Sequence, residues 1–225
     1  NAAPILTDLK VPTTFYISAG MVNTNLIFWV DKLELAFTYS KKKVLALKIL
    51  NINKTYSLNT IEDRISALEE VKMICKQTPL QQRHVVVSEV LALLDVDPYD
   101  FVSDDNFAMD WRELRALSDQ PLFEIGGHNM YHDVFTSLHE EDLQLEVSLT
   151  IDLLRYHLKK KIIHYSYPEG GLQHFDEKCI EILKSSGVVC CPTAIDGVNE
   201  DVQFEDLFHL KRIMPYFKNR EFPCQ

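Results

Sequence analysis

The sequence predicts an α/β fold with largely parallel strands and a mainly helical insertion. Three observations carry that expectation. From Trp111 onward, short β-rich runs alternate with amphipathic runs long enough for helices. Between residues 21 and 110 the pattern changes to helices with one possible hairpin. Glycine is scarce, at 7 of 225 residues, or ~3% against a usual ~7%. Yet four of the seven form two pairs, Gly126-Gly127 and Gly170-Gly171, each at the end of a predicted strand or just after it. A chain so poor in glycine that doubles it twice needs unusual backbone geometry at those places.

The elements follow in order. Residues 1–10 read as the tail of a short helix, which Val11-Pro12 ends. Thr13 to Ser18 is rich in β-formers and reads as a strand, closed by Gly20. Leu26, Trp29, Val30, Leu33 and Phe37 recur at helical spacing. Residues 43–50 and 54–58 fit a hairpin turning at Asn51 to Asn53. Asn59 with Glu62 resembles a helix N-cap with its acid, and Thr78-Pro79-Leu80-Gln81 places proline at a first helical position. Helices over 60–76 and 79–94 follow, then an Asp-rich loop over 95–110. Beyond it the pattern predicts a helix over 111–118 and a strand over 122–126. A capping box, Ser137 to Glu140, opens a helix whose apolar face is Leu143, Val147, Leu154 and Leu158. A strand over 161–167, a helix over 174–186 ending at Gly187, a strand over 188–192 and a last strand near 207–213 complete the alternation. The expected organisation is one α/β domain from 1–20 and 111–225, with 21–110 inserted.

Composition removes several function classes. Hydrophobic residues make up 46% and charged residues 25%, an ordinary globular balance. Apolar stretches such as Leu26 to Val30, five residues long, are far short of the ~18 residues of a membrane span. A net charge of −10 argues against a nucleic-acid footprint and against an anionic membrane surface. The five cysteines, Cys75, Cys179, Cys190, Cys191 and Cys224, form no Cys-x-x-Cys spacing. They read as reduced thiols in a cytosol-like, cytoplasmic compartment.

Two places could carry chemistry. The first glycine pair leads into His128-Asn129-Met130-Tyr131-His132. Two histidines four apart can share one metal ion if a turn aims both imidazoles the same way, and their place after a strand favours a site. A surface loop with two solvated imidazoles fits the spacing as well. The second pair ends Tyr165-Ser166-Tyr167-Pro168-Glu169-Gly170-Gly171. Such a turn can present backbone N–H groups to an oxyanion, or be an ordinary tight turn. The aspartates between 95 and 110 lack the glycine and terminal glutamate of a calcium loop and read as solvated. Trp29 and Asp31 suit an apolar helix face as well as a sugar contact. His84, His139, His157, His164 and His174 suit helix faces and strand ends.

Taken together and in order, these segments resemble the polysaccharide deacetylases (carbohydrate esterase family 4). Leu122-Phe-Glu-Ile-Gly-Gly-His-Asn-Met-Tyr-His132 is similar to the family's His-x-x-x-His motif, and Trp111 to Leu117 to the helix before it. Tyr165 to Gly170 resembles the Phe-Ala-Tyr-Pro-x-Gly variant of the third motif. His209-Leu-Lys-Arg-Ile213 resembles the final strand, and 3–18 the first helix and second strand. The resemblance covers roughly 1–20 and 110–215. Residues 21–110 look like the insertion of one branch, in which Phe28-Trp-Val-Asp-Lys-Leu33 recurs.

That resemblance implies a distorted (β/α)7 barrel and one divalent metal ion, usually zinc, held by two histidines and an aspartate. It implies hydrolysis of the N-acetyl amide of an amino sugar in a glycan or glycan precursor, with an aspartate as general base. Carried over by position, His128 and His132 are metal ligands. Tyr167, Pro168 and Gly170 line the substrate groove, the Glu169 N–H faces the oxyanion, and Leu210 borders the acetyl pocket. The family's first motif, Thr-Phe-Asp-Asp-Gly, supplies the base and the third ligand, and this chain does not contain it. Both are expected upstream of Asn1, the barrel then being N-terminally incomplete here. Asp133 and Asp196 are the alternative ligands. Arg212 stands where the family often has a general-acid histidine, and Ser166 where it often has arginine. Arg212 is expected to face the oxyanion or the aspartates, or else to form a structural ion pair. The rival reading is a non-catalytic carbohydrate-binding relative on the same fold.

Overall fold

The first helix, α1 (Ala2–Asp8), ends sooner than Val11-Pro12, in a turn with Lys10 left-handed at φ 55°, and the chain then enters strand β1 (Thr13–Ile17). The computed structural model describes residues 2–101, 108–200 and 206–213. They divide into two compact units, 26–101 forming one and 2–25 with 108–213 the other. Cys224 and the aspartates at 104 and 105 lie outside the described residues.

The unit over 26–101 holds α2 (Trp29–Tyr39), the hairpin β2 (Val44–Ile49) and β3 (Ile52–Ser57), α3 (Ile61–Gln77) and α4 (Leu80–Leu94). Its core joins Leu33, Ala36 and Phe37 of α2 to Leu45, Leu47, Val71, Val86 and Val90. The hairpin is tighter than the sequence suggests. Ile49 pairs with Ile52, so the turn is Leu50-Asn51, with Leu50 left-handed at φ 52°. The cap of α3 is Thr60 rather than Asn59. Its hydroxyl accepts from the Asp63 N–H, and Asp63 answers the Thr60 N–H in a capping box. Pro79 serves as the N-cap of α4, one position earlier than its expected place.

The other unit resumes at α5 (Trp111–Ser118), whose cap Asp110 forms a full capping box with Glu113. β4 (Phe123–Gly127), α6 (Glu140–Leu158) and α7 (Glu177–Ser185) follow. Strands β1 and β4 pair in parallel, Thr13 with Phe123 through Ile17 with Gly127. The sheet continues by single parallel bridges, Gly127 to Tyr165 and His164 to Cys190, and Asp196 bridges to Arg212. The strands expected over 161–167, 188–192 and 207–213 are thus reduced to bridges. Pro168 and Pro192 end the first two, because proline has no N–H to donate to a ladder. Where strand positions pair, they neighbour one another in chain order. No closed barrel forms among the described residues. Ile125 faces a core shared with Leu143, Val147, Ile151 and Leu154 of α6 and Ile180 and Leu183 of α7, while Phe123 is buried with its ring edge-on to that of Phe15.

The start of α6 corrects one expectation. Ser137 sits in a 3₁₀ turn and donates to the Val134 carbonyl at 2.6 Å. Ser137 thus belongs to the turn that precedes the helix, two residues before its N-cap, His139.

Candidate functional site

Alternation along β4 puts Ile125 and Gly127 on the face toward Tyr165 and α6 and sends Gly126 and His128 to the other. A Cβ on Gly126 would stand 2.6 Å from the Tyr16 ring of the neighbouring strand. The first glycine pair thus admits close strand packing beneath the histidine loop. The loop then prolongs the sheet edge. The His128 N–H donates to the Ile17 carbonyl (3.0 Å), and the Ala19 and Gly20 N–H groups donate to the carbonyls of Asn129 and Met130. Asn129 and His132 are left-handed, at φ 57° and 62°. Asparagine takes that conformation readily, so Asn129 is the residue that reverses the chain.

The reversal aims both imidazoles to one side. The ring centroids of His128 and His132 lie 4.6 Å apart at 73°. His128 Nδ1 is 2.7 Å from the Ser166 carbonyl. A carbonyl only accepts, so Nδ1 carries the proton and Nε2 keeps its lone pair. This is the tautomer a metal ligand needs, fixed by a backbone partner behind the ring. Burial pushes the His128 pKa down to about 4, with His132 and Arg212 adding to the effect; the hydrogen bond to Ser166 and the charge of Glu169 oppose it. The ring is neutral at pH 7. Two imidazoles side by side, one with a fixed tautomer, suit a divalent ion that takes nitrogen ligands, zinc foremost. Among the described residues no group of three His, Cys, Asp or Glu gathers around one point. Asp133 is buried and Asp196 is exposed, and neither completes a triad with the histidines.

A buried network that the sequence did not announce holds the loop. Tyr165 is 0% exposed. Its hydroxyl donates to Asn129 Oδ1 (2.7 Å) and accepts from the Asn129 N–H (2.8 Å). Asn129 Nδ2 donates to the Asp133 carbonyl (2.8 Å), closing the loop on itself. From α6, the Glu146 carboxylate accepts from the Met130 N–H at 3.0 Å.

The second glycine pair forms a three-residue turn. The Gly170 N–H donates to the Pro168 carbonyl (2.8 Å) around Glu169, which is left-handed at φ 62°. Turns of this hand are rare and strained, and they gather at functional sites. Gly170 follows at φ 68°, and a Cβ there would lie 2.6 Å from the Ala194 nitrogen. Glu169 is half-buried, while Pro168 and Gly170 are buried.

Other expected residues fall as follows. The Tyr167 side chain is 0% exposed, stacked on Phe175 at 4.0 Å, with its hydroxyl donating to the Phe208 carbonyl. It supports the turn from the core instead of walling a groove. Leu210 is half-buried, and its carbonyl accepts from both the N–H and the hydroxyl of Thr193. Arg212 is half-buried, its Nε donating to the Thr193 carbonyl, and its charge reaches His128 and Tyr16. Ser166 is buried, and its hydroxyl has no partner among the described residues. Trp29 lies against the Arg83 guanidinium in the other unit, 5.4 Å from ring centre to cation. The thiols of Cys75, Cys179, Cys190 and Cys191 are free, and burial raises each above the usual range. None is an activated nucleophile at neutral pH.

Parallel strand ends that carry a histidine pair, one with a fixed tautomer, and a strained turn define an α/β site whose two imidazoles have the chemistry of metal ligands. A family model described as polysaccharide deacetylase matches residues 77–191. The chain belongs to the polysaccharide deacetylase family. Its fold is similar to that of IcaB from Ammonifex degensii, at 15% identity and a TM-score of 0.53, covering 96% of this chain and 61% of that one. The chain thus spans about three fifths of that structure's length. A de-N-acetylase from Aggregatibacter actinomycetemcomitans aligns at 12% identity and TM-score 0.47, covering 94% of this chain and 63% of the other. The Streptococcus pyogenes deacetylase PplD, in complex with acetate, aligns at 13% and 0.43, covering 85% and 83%. The sequence has no match among the curated proteins.

Proposed function

We propose that this chain belongs to a metal-dependent deacetylase that removes the N-acetyl group from an amino sugar in a glycan or glycan precursor. The observation that carries the reading is the His128 ring, whose Nδ1 proton is committed to the Ser166 carbonyl beside a second imidazole. Family membership supports the substrate class. Pairing of strand positions in chain order supports a barrel-type architecture, in which ligand sites lie at the carboxyl ends of the strands.

In this reading His128 and His132 hold one divalent ion, zinc being the usual one. When bound, the ion supplies Lewis-acid polarisation of the acetamide carbonyl and a lowered pKa for water. The Glu169 N–H faces the oxyanion, with its direction set by the strained turn. Arg212 adds a fixed cation on the same side, and its electrostatic reach to His128 is the support for that role. Leu210 and Pro168 border the acetyl and sugar positions. The aspartate ligand and the general base belong to the family's first motif and are not assigned to any residue of this chain.

The test is acetate release from short oligomers of N-acetylglucosamine by the full-length protein. The reading expects release that stops after treatment with a zinc chelator and returns on adding zinc or another divalent ion. Sugar binding without release under any divalent ion would overturn it in favour of a non-catalytic relative. Release indifferent to chelation would overturn the metal assignment.

A further inference from the structure

Met130 lies midway between the two histidines, and its backbone is gripped from both sides. Its carbonyl accepts from the Gly20 N–H at 3.0 Å, and its N–H donates to Glu146 Oε2 at 3.0 Å. Glu146 sits in the middle of α6, one residue from Val147 and four from Thr150, both buried. The helix backbone is thereby anchored in the core. Glu146 itself is half-buried, and burial is the main cause raising its pKa, with Asp133 and Asp142 adding to it. A carboxylate kept in such surroundings is costly unless it is hydrogen-bonded. This carboxylate accepts a hydrogen bond from the loop that carries His128 and His132.

We infer that Glu146 is a positioning residue, and that its carboxylate fixes the Met130 peptide so that the His132 imidazole is held beside that of His128. The inference rests on the reading of these histidines as metal ligands. Hydrogen-bond partners one step behind a metal site contribute about 10–100-fold to metal affinity. Glu146 differs from the usual partner in acting on the backbone between the ligands instead of on a ligand ring. It reaches His132 through two peptide units, and His132 is held at a left-handed φ of 62° that a loosened loop would not keep.

The experiment is zinc titration by calorimetry on the full-length protein, comparing wild type with Glu146→Ala and Glu146→Gln. Glutamine keeps an oxygen that can accept from the Met130 N–H; alanine does not. The inference expects Glu146→Ala to weaken zinc binding by about 10–100-fold and Glu146→Gln to stay close to wild type. Glu146→Ala binding as tightly as wild type would overturn it. So would equal weakening by both variants, since the negative charge alone would then be responsible. If Glu146→Ala does not fold, Glu146→Asp takes its place, the carboxylate being drawn back by one methylene. Weaker binding by aspartate than by glutamine supports the inference, and equal binding overturns it. If the wild type itself does not bind zinc, the proposed function fails. The positioning role is then decided in the metal-free protein by NMR. Faster Met130 amide exchange and shifted His132 ring protons in Glu146→Ala, but not Glu146→Gln, support it, and unchanged spectra refute it.

Discussion

Replacing Tyr165 by phenylalanine should loosen the histidine loop at its root. The substitution keeps the ring, and with it the tilted contact to Phe135 at 5.9 Å, and removes one oxygen. That oxygen is at once the donor to Asn129 Oδ1 and the acceptor of the Asn129 N–H. Asn129 is 0% exposed, so water cannot replace either partner without opening the loop. A buried polar group left without its partner costs about 1–3 kcal/mol. Two such groups on one residue, with some relaxation, give about 2–4 kcal/mol. For a protein of this size, that corresponds to a fall of roughly 4–16 °C in the unfolding midpoint. The assay is guanidinium unfolding of wild type and Tyr165→Phe, read as the midpoint at constant slope. A cycle with Asn129→Ala isolates the pair, and a coupling of about 0.5–3 kcal/mol is expected for directly bonded partners. A Tyr165→Phe effect within about 0.5 kcal/mol, the range of an inconsequential surface change, would refute the argument that this hydroxyl holds the loop.

Three further outcomes follow from the same geometry. Gly170→Ala should cost more than about 2 kcal/mol in denaturant unfolding, because a left-handed φ of 68° is added to a Cβ 2.6 Å from the Ala194 nitrogen. In the metal-free protein His128 titrates near pH 4 when folded and near ~6.5 when unfolded. The unfolded chain therefore binds the extra proton between those values. Stability is full above pH ~6.5, falls by at most about 1.4 kcal/mol per pH unit down to about pH 4, and levels below it. Unfolding measured across that range should show this slope in wild type and lose it in His128→Gln. Arg212→Ala should lower acetate release by about 10²-fold if its cation faces the developing oxyanion, with acetate release by the purified variant as the check.

The elements whose signals are local were legible. The helix over 111–118 stands where the spacing put it, since its amphipathic period and cap decide it without help from distant residues, and the hairpin was legible as an element although its turn fell earlier. The short parallel pairings were not legible as bridges. Their length depends on where Pro168 and Pro192 withdraw a donor, and alternation of residue types does not record that. Caps were ambiguous for a related reason. Ser137 and Asn59 have the right chemistry for capping, but the turn around Ser137 and the Thr60–Asp63 box spend those groups differently. The histidine pair was visible from its four-residue spacing. Its tautomer was not, because the Ser166 carbonyl that sets it is 38 residues away. Asn129 carried a usable signal, being a residue that favours left-handed backbone between two histidines. Tyr165 and Glu146 carried none, since each reads locally as an ordinary strand or helix residue. Tyr167 shows the opposite limit. Its place in the third motif suggests a groove wall, whereas strand alternation turns the ring into the core.

The most direct test of the account is acetate release by the full-length protein with His128 and His132 each replaced by alanine. Both variants are to be checked first for native unfolding midpoints. The account predicts that wild type releases acetate from N-acetylglucosamine oligomers in the presence of zinc, and that each single replacement abolishes release while leaving the fold intact. Folded variants that release acetate at the wild-type rate would contradict it.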